Sequence, residues 1–206
     1  MTDRFSEQRI HREPDFDPTR TALLVVDMVN DFLEEGGTMV LLEGRALYGP
    51  IQRLLDEAHR VGMAVFWLNQ HLLSSDTLFR KRIPHCLVGT WGAQIVDALT
   101  VGPDDIIVPK RRYSGFFQTD LDLHLRERQI EGVIVTGLVT NICVRSTVHD
   151  AFFLGYDVIV PEECVAGTGP AQQEVTLYDI DTHYGTVASL EAVLAKTGTV
   201  PAAGVR

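Results

Sequence analysis

The chain has 206 residues, with 28 acidic and 18 basic side chains, a formal charge of −10 and a pI near 5.1. That balance excludes a nucleic-acid or anionic-membrane partner held by a basic surface, and no apolar run approaches the ~20 residues that cross a bilayer. Three widely spaced cysteines form neither a disulfide framework nor a metal knuckle, so the expected compartment is the cytoplasm, with its thiols reduced.

In chain order, residues 1–20 read as a polar N-terminal arm without a signal-peptide core, and residues 21–206 as one domain. Thr21 to Val26 is a continuous apolar run, the signature of a strand buried on both faces, and Asp27 ends it. Ile51, Leu54, Leu55, Ala58 and Val61 recur at helical spacing up to Gly62, and Met63 to Leu68 forms a second strand. Asn69 to Thr100 is long and mixed, with loops at Pro84, Gly89 and Gly92 and a short helix suggested by Ile95, Val96 and Leu99. A third strand, Asp105 to Val108, is ended by Pro109-Lys110, and a helix from about Asp120 to Gln129 comes next. The fourth strand opens at Val133 and breaks at Thr136-Gly137. After it, Cys143, Val144, Thr147, Val148, Ala151 and Leu154 mark an amphipathic helix that stops at Gly155. Val158 to Val160 is the fifth strand, Ala171 to Tyr184 a helix, and Thr186 to Ala188 a short sixth strand, with Ser189 capping a last helix to Lys196. Strands alternating with helices at this spacing predict βαβ units and a parallel sheet covered on both faces.

In such sheets ligands bind beyond the carboxyl ends of the strands. Asp27 ends the first strand, Lys110 the third, and Cys143 comes after the fourth, so all three fall at one sheet edge. A cysteine in the first turn of a helix lies near unpaired amides and the positive end of the helix dipole, which favour the thiolate. Asp27 is then the candidate base and later acid, Lys110 the cation that favours the charged sulfur, and the backbone N–H groups of Val139 and Cys143 the candidate oxyanion hole. Each residue also has a plain reading. Buried cysteines are mostly inert, an Asp after a strand often caps the next helix or loop, and Lys110-Arg111-Arg112 resembles a solvated basic run. The joint placement is what favours chemistry.

Three stretches, LLVVDMVNDF, VPKRRYSGFFQTDLD and VTGLVTNICVRSTVHDAFFLGYDVIVPEE, together resemble the isochorismatase-like cysteine hydrolase superfamily over about Thr21 to Ala188. The resemblance implies a single Rossmann-like three-layer α/β/α domain with a mainly parallel six-stranded sheet. It also implies an Asp-Lys-Cys set at Asp27, Lys110 and Cys143, a non-proline cis peptide at Leu138–Val139 that aims the oxyanion-hole amides, and a homodimer or homotetramer, with Phe152-Phe153 as a possible contact. Members that cleave vinyl ethers lack the cysteine. Nicotinamidases hold a metal through an Asp-x-His after the second strand; here that stretch is Asn69-Gln70-His71, so no metal or other cofactor is expected. The loop from Lys110 to Asp122 looks most like biuret hydrolase and ureidoacrylate amidohydrolase.

The expected substrate is therefore a small linear amide or ureido compound, cleaved through a Cys143 thioester. Phe32, Trp91, Tyr113, Phe116 and Phe117 are candidate pocket walls, although aromatics in loops are as often packing residues. His71, Thr140 and either Gln172 or Gln173 are the candidate polar contacts. Arg111 or Arg112 would serve a substrate carboxylate, and Cys86 and Cys164 read as bystanders. The rival expectations are a nicotinamidase-type metal hydrolase, an isochorismatase-type hydrolase, a non-catalytic binding member and a redox-sensing thiol protein.

Overall fold

A computed structural model describes residues 13–198, so most of the expected arm and the last eight residues of the expected domain lie outside the described residues. The strands are β1 (Thr21–Val26), β2 (Ala64–Gln70), β3 (Ile106–Lys110), β4 (Gly132–Leu138), β5 (Asp157–Pro161), β6 (Val165–Ala166) and β7 (Thr186–Ala188). The α-helices are α1 (Asn30–Leu33), α2 (Tyr48–Val61), α3 (Leu121–Glu127), α4 (Arg145–Phe153), α5 (Pro170–Asp179) and α6 (Leu190–Thr197). All strand pairs are parallel, in the order β3-β2-β1-β4-β5-β7, and the two-residue β6 adds to β4. The six-strand expectation thus becomes seven, because a pairing of two residues leaves no periodic trace in sequence.

β1 is buried at every residue, as its unbroken apolar run predicts. Ala22, Leu24 and Val26 join Leu121, Leu125, Val144, Val148 and Ala151 in one core layer. Leu23 and Val25 face the other way, onto Ile51, Leu54, Leu55 and Ala58 of α2 and Leu190 and Val193 of α6. The period of two in the strand therefore divides the core into two layers, with helices on both sides of one sheet. Ser189 caps α6 by accepting the Ala192 N–H. Among the described residues no helix is long and apolar enough to cross a membrane.

Several boundaries differ from expectation in ways that shape the site. β2 continues through Asn69 and Gln70, and β3 through Pro109 and Lys110. Pro109 is tolerated because β3 is the outermost strand of the order. β4 does not break at Thr136-Gly137 but runs to Leu138. Gly137 has φ +99°, and a Cβ there would lie 2.0 Å from the Val26 carbonyl oxygen, so only glycine lets β4 close on β1 at this level. Leu154 lies beyond α4 and is exposed, as are Phe152 and Phe153.

Candidate active site

Asp27 is placed by the end of β1. Its φ is +54°, an uncommon value for a side-chain-bearing residue, and its N–H bonds the Leu68 carbonyl of β2 at 3.0 Å. Its carboxylate is wholly buried. One oxygen accepts the Gln70 backbone N–H at 2.8 Å; the other accepts Lys110 Nζ at 2.7 Å. Lys110 is registered opposite Gln70 and is also wholly buried, with a further long bond of 3.4 Å to the Arg112 carbonyl. Burial works against the ammonium charge, but the Asp27 carboxylate, through its charge and its hydrogen bond, outweighs it and holds the Lys110 pKa above its ordinary value.

Cys143 does not open an α-helix, contrary to expectation. Thr140–Val144 is a π-helical turn, closed in part by a 3.3 Å bond from Val144 N–H to the Val139 carbonyl, and α4 starts only at Arg145. The Leu138–Val139 peptide before it is cis. Thr147 anchors the turn: its hydroxyl donates to the Cys143 carbonyl at 2.8 Å and accepts the Gly115 N–H at 3.0 Å. The thiol interacts with both Lys110 and Asp27, but burial, the largest effect, pushes its pKa well up; Lys110 opposes that and Asp27 adds to it. The expectation of an easily ionised sulfur is corrected accordingly: burial works against the thiolate at this position. Burial also pushes up Cys86 and, to about 12, Cys164.

Cys143 borders a cavity of about 150 Å³. Its walls are apolar (Phe32, Met39, Val40, Leu41, Val139 and Ile142), and Gln70, Arg82, His85, Tyr113 and Thr168 supply the polar edges. Asp31 assembles these walls. Its carboxylate accepts the Thr38 N–H and hydroxyl at 3.0 and 2.9 Å, and on its other oxygen the Cys86 N–H at 2.6 Å. Two loops distant in sequence thus meet at one buried charge. Gly92 packs so tightly on that carboxylate that a Cβ would fall 2.3 Å from it.

The structure brings Phe32 and Tyr113 to the cavity together with Val139 and Cys143. The other expected contacts lie elsewhere. Trp91 is half-exposed and off the lining, because its segment bridges back to Val29 and Asn30 through Ile95, Gln94 and the Trp91 carbonyl. Phe116 is drawn into the core against Tyr156, and Phe117 points to solvent. His71 lies past the end of β2, tied by its N–H to the Lys110 carbonyl. Thr140 is wholly buried with an unpaired hydroxyl, off the lining. Gln172 is exposed at the start of α5, while Gln173 turns inward to the Val165 carbonyl at 3.1 Å. Arg111 and Arg112 are both taken by Asp76, so neither points at the cavity as a free cation.

Gln70, Arg82, His85 and Thr168 join the lining without being sequence candidates. The signal for Gln70 is its place beside Asp27 at a strand end; the other three sit in loops without periodicity. His85 donates its Nδ1–H to the Ile83 carbonyl at 2.7 Å, and its Nε2 lies 3.1 Å from the Gln70 side-chain amide, with its ring between Phe32 and Phe79. Asn69, where a carboxylate would be needed for a metal, is a buried amide, and among the described residues no group of three or more His, Cys, Asp or Glu is placed to hold an ion.

The likeness to known proteins is extensive. A cysteine hydrolase from Pseudomonas syringae pv. phaseolicola 1448A is 30% identical over 94% of this chain and 99% of its own, with a TM-score of 0.85. N-carbamoylsarcosine amidase from Thermoplasma acidophilum is 32% identical over 84% of this chain and 97% of its own, with a TM-score of 0.77. A nicotinamidase from Bacillus subtilis is 30% identical over 82% of this chain and 99% of its own, with a TM-score of 0.78. The isochorismatase domain matches residues 21–192, and the chain belongs to the isochorismatase-like hydrolase family.

Proposed function

We propose that this chain is a metal-independent cysteine amidohydrolase acting on a small linear amide or ureido compound. The observation that carries the reading is the fully buried Asp27–Lys110 pair in contact with a thiol that borders a small apolar cavity. A carboxylate and an ammonium are not taken out of water for stability alone, since such pairs are no better than apolar replacements. The Cys143 Sγ–H proton passes to Asp27 as the sulfur bonds to the substrate carbonyl carbon, so the buried thiol need not ionise beforehand. Lys110 stays protonated and stabilises the negative charge that moves from carboxylate to oxyanion. The Val139 and Cys143 amides are the donors assigned to that oxyanion. Collapse of the adduct breaks the C–N bond, and Asp27 returns its proton to the leaving ammonia or amine. Water, deprotonated by Asp27, then cleaves the thioester and restores the thiol.

The ureido preference draws support from the fold shared with N-carbamoylsarcosine amidase, and from Gln70 and Thr168, which can meet a planar polar group between apolar walls. The likeness to a nicotinamidase is nearly as strong, at 30% identity against 32%, so the metal question turns on Asn69 and on a His85 whose ring nitrogens are both engaged. The deciding experiment compares kcat/KM for biuret, an N-carbamoyl amino acid, ureidoacrylate, nicotinamide and isochorismate, before and after dialysis against a chelator. Turnover of a ureido compound that survives the chelator is expected. Turnover of nicotinamide alone, lost with the metal and restored by zinc, iron or manganese, would sink the reading.

A further inference from the structure

We infer that the substrate carries a carboxylate and that Arg82 binds it, which makes Arg82 the residue that separates anionic from neutral amides. The inference rests on the amidohydrolase reading for the position of the scissile carbonyl, at Cys143.

The chain carries an excess of ten negative charges, yet among the described residues no Asp or Glu lines the cavity, and Arg82 is the one Lys or Arg in its lining. Among the described residues Arg20, Arg45, Arg53, Arg111, Arg112 and Arg126 each pair with a carboxylate, whereas Arg80, Arg128 and Arg145, like Arg82, do not; of these four only Arg82 borders the cavity. The Arg82 guanidinium makes no hydrogen bond or ion pair with any described residue. Its backbone is nevertheless held. The Arg82 N–H bonds the Leu78 carbonyl at 3.2 Å, and three residues on, the His85 ring is fixed between Phe32 and Phe79 and tied to Gln70. A fixed backbone with an uncommitted planar cation on an acid-free cavity suits bidentate capture of a carboxylate.

Size narrows the class. A cavity of about 150 Å³ admits only a short molecule. The fitting substrate has a carbamoyl or amide carbonyl at Cys143 and a carboxylate a short carbon chain away, as in an N-carbamoyl amino acid. Uncharged biuret and aromatic amides lack the second handle. Arg82 touches no reacting atom in this arrangement, so its role is specificity.

The test uses two matched pairs on the full-length chain. Iodoacetate and iodoacetamide differ at one end only in charge, and alkylation of Cys143, with peptide mapping, reads their rates without any turnover. N-carbamoylglycine and N-carbamoylglycinamide form the corresponding substrate pair. Arg82→Gln is expected to lower the iodoacetate-to-iodoacetamide rate ratio, and the acid-to-amide ratio of kcat/KM mainly through KM, each by about tenfold or more. Arg82→Lys should restore part of both. An unchanged alkylation ratio in Arg82→Gln overturns the inference, as does failure of both reagents to modify Cys143. If neither ureido compound is turned over while the alkylation ratio responds as expected, the substrate reading fails and the carboxylate site stands. Equal turnover of both, with unresponsive ratios, leaves the amidohydrolase reading standing and removes Arg82.

Discussion

Two ionic clusters grow from one run of three cations, Lys110-Arg111-Arg112, and they are built in opposite ways. Lys110 and Asp27 are both fully buried, 2.7 Å apart, under the cavity chemistry. Arg111 and Arg112 keep 53% and 43% of their side chains in solvent while sharing Asp76, which is itself almost wholly covered. Asp76 also accepts the Leu73 N–H at 2.7 Å, so the outer cluster fastens the loop after β2 to the exit of β3. Position in the sheet decides the difference. Lys110 is the last residue of β3 and turns inward, whereas the next two residues have left the ladder. The inner cluster spends stability on reactivity; the outer one is an ordinary clasp. That contrast can be broken from either side.

The largest effect belongs to the sulfur. Cys143→Ala is expected to lower kcat by about 10⁴-fold or more, as removal of a nucleophile does, with circular dichroism unchanged. The buried thiol adds a pH signature. Alkylation of Cys143 in the wild type should keep accelerating to about pH 9, because burial raises the pKa and the thiolate fraction grows with each pH step. A plateau below neutrality would mean the thiolate is already formed in the resting site. Cys143 should still react before Cys86 and Cys164, which are not part of the cavity lining.

Next comes Lys110→Met, which leaves the Asp27 carboxylate buried without its cation while keeping the Gln70 N–H. Breaking a buried pair this way costs about 3–5 kcal/mol, and kcat should fall by about 10²-fold or more as the charge that balances the oxyanion is lost. The double variant Asp27→Asn/Lys110→Met is the sharper probe. It should recover much of the stability in urea unfolding and none of the activity. Recovery of neither would mean that the buried pair serves the fold, as the outer cluster does.

The outer cluster should respond in the reverse sense. Its arginines hold the Asp76 carboxyl down at about 2. A depressed carboxylate contributes stability above its ordinary pKa of about 3.8, and that contribution fades as pH falls through about 2. Asp76→Asn should therefore lower Tm by a few degrees at pH 7, with kcat within a few-fold of wild type. The Tm gap between variant and wild type should close between about pH 4 and pH 2. A gap that persists at pH 2 would remove the ion pairs as its cause.

The same contrast explains what sequence can disclose. A strand buried on both faces, such as β1, appears as an unbroken apolar run, and a residue that ends such a strand inherits its position at the sheet edge; Asp27 and Lys110 are legible for that reason. The cavity walls are not. Met39 to Leu41, Arg82 and His85 belong to segments without period, brought together by the hydrogen bonds of one buried aspartate, Asp31. Nothing local distinguishes Phe116, which enters the core, from Phe117, which does not. The clasp at Asp76 is hidden in the same way. Its two arginines read in sequence as candidates for a substrate, because their partner lies more than thirty residues back in a loop without period.

The last expected effect lies between the two clusters, at Thr147. Its hydroxyl links the π-turn that carries Cys143 to the loop that carries Tyr113, through the Cys143 carbonyl and the Gly115 N–H. Valine matches threonine in shape but has no hydroxyl, so Thr147→Val leaves a buried carbonyl and a buried N–H without this partner, at about 1–3 kcal/mol. The chemical groups remain in place, yet the sulfur and the wall it works against are no longer fastened together. A misplacement well under the size of an atom is enough to slow a reaction that depends on alignment. We expect kcat to fall by about tenfold with KM changed less, and Thr147→Ser, which keeps the oxygen, to recover most of the loss. A Thr147→Val enzyme with lowered Tm but wild-type kcat would place Thr147 with Asp76, as a clasp of the fold alone.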